Sequence, residues 1–221
     1  MLPNLEAVLF DLDGTLVDSA RDLGAAAELI RQRKGLPPLG LDAYRSMAGA
    51  GARGMLGIAL GVTPESPDYE ALKEEFLANY EVAMTVHTRE FDGVAELVAA
   101  LVERGLTWGI VTNKVERFAV PLVAQIPCLS SAAVVVGGDT TPFPKPHPAP
   151  LLAAASRMGL NPSHCLYVGD DERDVVAGHA AGMRTVAACY GYLGVPAQTR
   201  GWGADFLIEA PLELLKILDV A

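Results

Sequence analysis

Residues 7–19 constrain this chain more than any other stretch. Ala7-Val8-Leu9-Phe10 is an unbroken apolar run, the mark of a strand buried on both faces and hence of a parallel sheet. It leads straight into Asp11-Leu12-Asp13-Gly14-Thr15. Side chains alternate along extended backbone, so Asp11 and Asp13 point to one side. Gly14 lets the chain turn sharply and approach a ligand closely. The carboxyl end of such a strand is where open α/β sheets hold ligands. Two carboxylates this close need a cation, a proton or a phosphate network between them. Turn-forming, helix-capping aspartates are the plainer alternative. That alternative accounts for one Asp and the Gly, but not for the acids that recur at matching places later in the chain.

The next seventy residues carry no strand pattern. Residues 18–34 read as a helix with Leu23, Ala26, Ala27 and Ile30 on its apolar face, closed by Gly35 and Pro37-Pro38. Segments 41–48 and 52–60 are shorter helical pieces around Gly49-Ala50-Gly51. Residues 68–83 form an amphipathic helix through Tyr69, Leu72, Phe76, Tyr80 and Ala83. From residue 92 the pattern alternates. Strands are predicted at 106–111, 133–136, 165–168, 185–188 and 205–208. Helices are predicted at 93–104, 115–125, 150–158, 172–181 and 211–219, the last packing on the sheet. Such alternation builds a parallel sheet covered by helices on both faces. The fold class is therefore α/β, a Rossmann-like parallel-sheet core with an inserted helical cap domain. The core spans residues 1–17 and 87–221, and the cap spans 18–86.

Charge and cysteine content narrow the function. Seventeen basic against 27 acidic residues give a net charge of −10, which argues against nucleic acid and anionic membranes as partners. Cys128, Cys165 and Cys189 are odd in number and widely spaced, so they read as small buried hydrophobes rather than as disulfides or a zinc site. The first residues lack a basic leader, and no apolar run approaches the ~20 residues needed to span a bilayer. A cytoplasmic protein, monomer or homodimer, is expected.

Four predicted strand ends carry polar residues: Asp11 and Asp13; Thr112-Asn113-Lys114; Gly137-Gly138-Asp139, followed by Lys145-Pro146-His147-Pro148; and Gly169-Asp170-Asp171 with Asp174. One sheet brings them to one edge. Asp11 and Asp170 with a backbone carbonyl make a hard, incomplete oxygen cage that suits Mg²⁺. A metal would keep Asp11 ionised and free to attack phosphorus, giving an aspartyl-phosphate. Thr112, Asn113, Lys145 and turn amides could meet the charge that spreads over the transferred phosphoryl group. Asp13 fits the other task, general acid to the leaving alcohol and then general base to water.

In this order DLDGTLVDS, VTN, KPHP and VGDDERD resemble the four motifs of the haloacid dehalogenase-like hydrolases, over essentially the whole chain. The resemblance implies Asp11 as nucleophile, Asp13 as acid/base, Thr112 and Lys145 as phosphate binders, and Asp170 as Mg²⁺ ligand. It also implies that Asp11 and the Asp13 carbonyl reach the metal, with Asp174 a supporting acid. Gly137-Gly138-Asp139-Thr140, the run from Lys145 to Leu152, and Tyr190-Gly191-Tyr192 are similar to phosphoglycolate phosphatases. Phe91-Asp92-Gly93, the run from Trp108 to Lys114, and Trp202-Gly203-Ala204-Asp205 also resemble N-acetylmuramic acid 6-phosphate phosphatases. The implied activity is Mg²⁺-dependent hydrolysis of a small phosphorylated metabolite, with 2-phosphoglycolate first and N-acetylmuramic acid 6-phosphate second. A sugar-phosphate mutase is a further alternative. A dehalogenase should lack Asp13, and a non-catalytic relative should have lost a charged motif residue.

Other residues carry two readings. Thr112 also reads as the N-cap of the helix that follows. Asn113 reads as a loop-orienting residue, and His147 as loop-stabilising. Arg53 reads as a ligand for a substrate carboxylate or as half of a surface salt bridge, with Arg45 a second candidate. Tyr190, Tyr192 and Trp202 are expected to pack the rim of the core. Asp171, where many relatives have Ser, is expected to add negative charge beside the metal ligand.

Overall fold

A computed structural model describes residues 4–192 and 199–219. It holds a six-stranded parallel sheet in the order β5-β4-β1-β6-β7-β8. Its strands are β1 (Ala7–Phe10), β4 (Thr107–Val111), β5 (Val135–Val136), β6 (Cys165–Gly169), β7 (Arg184–Ala188) and β8 (Phe206–Ile208). β1 lies at the centre because every side chain in it is apolar and both faces must be covered. It pairs in register with β4 (Phe10 opposite Ile110) and with β6 (Phe10 opposite Val168). The chain builds outward through β4 and β5, then crosses to the other side of β1 for β6, β7 and β8. That reversal makes the carboxyl ends of β4, β1 and β6 the switch point, where open sheets form a ligand crevice.

The helices between strands are α4 (Val94–Glu103), α5 (Glu116–Gln125), α6 (Ala149–Met158), α7 (Glu172–Ala180) and, at the end, α8 (Glu213–Asp219). Val94, Leu97 and Leu101 of α4, Phe118 and Leu122 of α5, and Leu151 and Ala154 of α6 are buried, as their spacing requires. Cys165 and Cys189 are buried and Cys128 half-buried, all three as free thiols. No helix among the described residues is long and apolar enough to cross a membrane.

The chain divides into two compact units, Met1–Leu16 with Glu90–Ala221, and Val17–Arg89. The second unit is helical: α1 (Ala20–Arg33), a 3-10 segment Leu41–Ala50, α2 (Gly51–Leu60) and α3 (Tyr69–Ala83). Leu23, Ala27 and Ile30 of α1 are buried, as are Tyr44, Leu56, Leu72, Phe76 and Tyr80. Arg31, also buried, donates to the carbonyls of Pro37 and Ala59 and ties the loop after α1 to the end of α2. The absence of strand pattern in this part does not extend to its ends. β2 (Val17–Asp18) pairs with β3 (Arg89–Glu90), two-residue strands too short to leave a periodic signal. Asp22 closes the same end by accepting from Thr88 N and Thr88 Oγ1 at 2.8 Å each, and from His87 N at 2.9 Å.

Candidate active site

Asp11 is the first residue beyond β1, and its N–H still donates to Val168 O at 2.8 Å, so the strand's own hydrogen bonding sets its position. Asp170 follows β6 directly. Asp174 lies in the first turn of α7 and is fixed by a capping box: its Oδ2 accepts from Asp171 N at 3.1 Å, while Asp171 caps the helix through Arg173 N. Ligand oxygens of Asp11, Asp170 and Asp174 all lie within 4.8 Å of one another. Asp170 and Asp174 are only 3% and 2% exposed, so water does little to separate their charges.

One cation stands among them. Lys145 is 3% exposed, and its ammonium lies 2.7 Å from Asp174 Oδ1 and 3.0 Å from Asp11 Oδ1. The Tyr167 hydroxyl at 2.7 Å and Val111 O at 3.1 Å complete its surroundings. Burial works against its charge, but Asp11 and Asp174 outweigh burial and raise its pKa. Three carboxylates against one ammonium leave the cluster negative. Burial first, then repulsion from Asp11 and Asp174, pushes Asp170 well above the usual carboxylate range. Burial also raises Asp174, with Lys145 pulling it back. Buried, acid-rich, all-oxygen and short of positive charge, this donor set fits a hard divalent cation.

Asp170 is aimed by two groups. Its Oδ1 accepts from Thr15 Oγ1 at 3.1 Å and its Oδ2 from Tyr192 N at 2.8 Å. A Cβ on Gly14 or on Gly191 would overlap this carboxylate, so glycine is needed on both sides of it. At Gly14 the positive φ of 89° adds a second reason. Tyr190 is more than rim packing, because its hydroxyl donates to Thr15 O at 3.0 Å and braces the loop that carries Asp11 and Asp13.

Asn113 clamps the Lys145 backbone in both directions, donating to Lys145 O and accepting from Lys145 N, each at 2.9 Å. Thr112 continues β4 by donating from its N–H to Val136 O at 2.9 Å. The N-cap expected of Thr112 is not formed. Its hydroxyl accepts from Lys114 N at 3.1 Å, and α5 starts later, at Glu116, whose N–H is taken by Asp139 Oδ1 at 2.7 Å. His147 does steady its own loop, its Nδ1 accepting from Ala149 N at 3.1 Å. The negative charge expected at Asp171 is paired rather than left open to Asp170, because Arg173 holds it through Nε at 2.7 Å and Nη2 at 2.8 Å. Burial pushes the Asp171 carboxyl up, but the Arg173 hydrogen bonds outweigh burial and keep it below the usual range.

Arg53 belongs to the helical unit, where α2 leaves its side chain exposed; among the described residues no salt bridge holds it. Arg45 is ion-paired with Asp18. Two residues that touch the site's side chains went unassigned in the sequence. Tyr167 lies inside an apolar strand and gave no polar signal. Lys114 stood in plain view beside Thr112, and its ammonium lies 3.0 and 2.9 Å from Asp13 Oδ1 and Oδ2.

A carboxylate at the end of β1, a second acid two residues on, a buried lysine and an acidic cluster that could hold a metal ion gather at one sheet edge, an arrangement suited to phosphoryl transfer. The chain belongs to the haloacid dehalogenase-like hydrolases, whose family profile matches residues 8–188. It is 42% identical over 217 residues to an N-acetylmuramic acid 6-phosphate phosphatase of Pseudomonas aeruginosa, covering 98% of this chain and 96% of the relative. It is 44% identical over 208 residues to a phosphoglycolate phosphatase of Xanthomonas campestris pv. campestris, covering 94% of each. A crystal structure from Haemophilus somnus, described as a predicted phosphoglycolate phosphatase, superposes with a TM-score of 0.85 at 27% identity, covering 99% of this chain and 100% of that one. The chain is a phosphatase of this family.

Proposed function

We propose that the chain is a Mg²⁺-dependent phosphomonoesterase that hydrolyses 2-phosphoglycolate to glycolate and phosphate through an aspartyl-phosphate. The observation that carries this reading is the Asp11–Asp170–Asp174 cluster, largely buried, with the Lys145 ammonium ion-paired to Asp11 and Asp174. Asp11, Asp170 and the Asp13 carbonyl would hold Mg²⁺, with Asp174 behind them. When bound, the metal supplies positive charge for the transferring phosphoryl group. Asp11 attacks phosphorus and becomes the acyl phosphate. Asp13 gives its proton to the leaving alkoxide, then takes one from the water that hydrolyses the intermediate. Thr112 and Lys145 donate to the phosphoryl oxygens, while Asn113 holds the Lys145 backbone in place. Unit Val17–Arg89 acts as the cap domain and the remainder as the catalytic core, with Arg53 the cap's contact for a substrate carboxylate. The protein works in the cytoplasm on a small metabolite, as a monomer or homodimer.

Hydrolysis of N-acetylmuramic acid 6-phosphate is the second reading, favoured by the 42% identity to a phosphatase of that name. Phosphate release from both esters, with Mg²⁺ and with EDTA, tests the proposal. Mg²⁺-dependent release, faster by kcat/KM on 2-phosphoglycolate, is the expected result. Release that EDTA leaves unchanged would remove the metal from the mechanism, and faster turnover of the amino-sugar ester would reverse the order of substrates.

A further inference from the structure

We propose that Tyr190 is a positioning residue for the metal ion: acting through Thr15, it fixes the Asp170 carboxylate in the orientation that binds a small divalent cation. The inference rests on the Mg²⁺ reading above and extends that site to a residue standing behind the metal ligands.

Both oxygens of Asp170 are engaged. Oδ2 accepts from Tyr192 N at 2.8 Å and Oδ1 from Thr15 Oγ1 at 3.1 Å. One tripeptide, Tyr190-Gly191-Tyr192, stands behind both contacts. Tyr192 gives its N–H directly. Tyr190 reaches the other oxygen by way of Thr15, its hydroxyl donating to Thr15 O at 3.0 Å. Thr15 is fully buried, and a β-branched side chain has few χ1 choices, so a fixed Thr15 peptide means a fixed hydroxyl. Thr15 follows Gly14, whose backbone is the most permissive of any residue, and its own N–H meets Leu12 O at a longer 3.3 Å. The Tyr190 bond is the shorter of the two. The Tyr190 ring is itself held, edge-on to Phe91 with centroids 5.3 Å apart, and Phe91 N donates to the next carbonyl, Leu16 O, at 3.0 Å. Mg²⁺ demands near-ideal geometry and tolerates little movement of its ligands. A carboxylate held at both oxygens is oriented before the ion arrives, and the groups that orient a ligand set much of the affinity.

The test titrates metal-free protein with MgCl₂ and follows the rise in Tm, which needs no substrate and yields a Kd for Mg²⁺. It is run on the wild type, Tyr190→Phe, Thr15→Val, Thr15→Ser and the double variant Tyr190→Phe/Thr15→Val. The Tm without metal reports stability separately, so a variant that folds less well does not imitate one that binds Mg²⁺ less well. Thr15→Val should raise Kd by roughly ten- to a hundredfold, the usual cost of removing a ligand's partner. Tyr190→Phe, which keeps the ring against Phe91, should raise it by about tenfold. Thr15→Ser retains the hydroxyl and should keep most of the affinity. In the double variant Tyr190→Phe should add little to Thr15→Val, because it acts through the hydroxyl already removed. A Tyr190→Phe protein that melts lower without metal yet binds Mg²⁺ with the wild-type Kd would overturn the inference. So would effects that multiply in the double variant, since Tyr190 would then reach the metal by another route. Either result leaves the Mg²⁺ reading standing. A wild type whose Tm and phosphate release both ignore Mg²⁺ overturns that reading and the inference together.

Discussion

The Tyr167 hydroxyl accepts from Lys145 at 2.7 Å and lies 2.8 Å from Val111 O, to which it donates. Lys145 Nζ also reaches Val111 O at 3.1 Å, so the hydroxyl and the carbonyl together aim the ammonium towards Asp174 and Asp11. Tyr167→Phe should keep the fold, since the ring remains, at a cost of about 1 kcal/mol for the lost hydrogen bonds. With Lys145 less well aimed, kcat/KM should fall by about tenfold or more. Thermal melts and steady-state kinetics on one preparation check both numbers, and an unchanged kcat/KM would remove Tyr167 from the site. In the sequence this residue is one more bulky strand side chain. A hydroxyl reaching from β6 to a lysine 22 residues earlier leaves no periodicity to read. Asp171 makes the converse point. Its negative charge was plain in the sequence, but the guanidinium two residues on that neutralises it became evident only once α7 had turned Arg173 back onto the cap.

Elements were readable wherever a buried face repeats. The spacing of Leu23, Ala27 and Ile30 located α1, and the apolar runs at 7–10 and 165–168 located β1 and β6. Element ends were less so, because their free N–H and C=O groups are satisfied by residues distant in sequence. The start of α5 is the example. Thr112 seemed placed to cap it, yet the acceptor is Asp139, carried by the loop after β5 and 23 residues away. The same loop is fastened by Gly138 N donating to Lys114 O at 2.8 Å and Gly137 N to Thr140 Oγ1 at 2.9 Å. Asp139→Ala should therefore destabilise the protein by about 1 kcal/mol, the usual cost of a lost cap. Urea unfolding measures it, and a change below about 0.3 kcal/mol would show that water serves α5 as well as Asp139 does.

For the molecule as a whole, the buried acidic cluster sets a cost in stability. Burial and its acidic neighbours raise the Asp170 pKa in the folded chain. Without metal the folded state then binds more protons than the unfolded one between the ordinary value near ~3.9 and the raised value. Stability is lost as pH rises through that window, and the penalty is complete above it. Asp170→Asn removes the charge, and its amide can still accept from Tyr192 N and donate to Thr15 Oγ1. The metal-free variant should melt higher than the metal-free wild type at neutral pH, show a flatter pH dependence, and lose both activity and any rise in Tm with Mg²⁺. Equal melting temperatures at neutral pH would mean that the repulsion is relieved in some other way. The sequence by itself determined the parallel sheet, its helical insertion, and the charged strand ends Asp11, Asp13, Lys145 and Asp170. Burial periodicity and motif order are local properties, and they survive without coordinates. Only the tertiary structure decided which groups hold those residues in place: Tyr167 and Asn113 on Lys145, Thr15 and Tyr192 on Asp170, Lys114 on Asp13. The physical reason is that hydrogen bonds and ion pairs act over about 3 Å in space, whatever the separation along the chain.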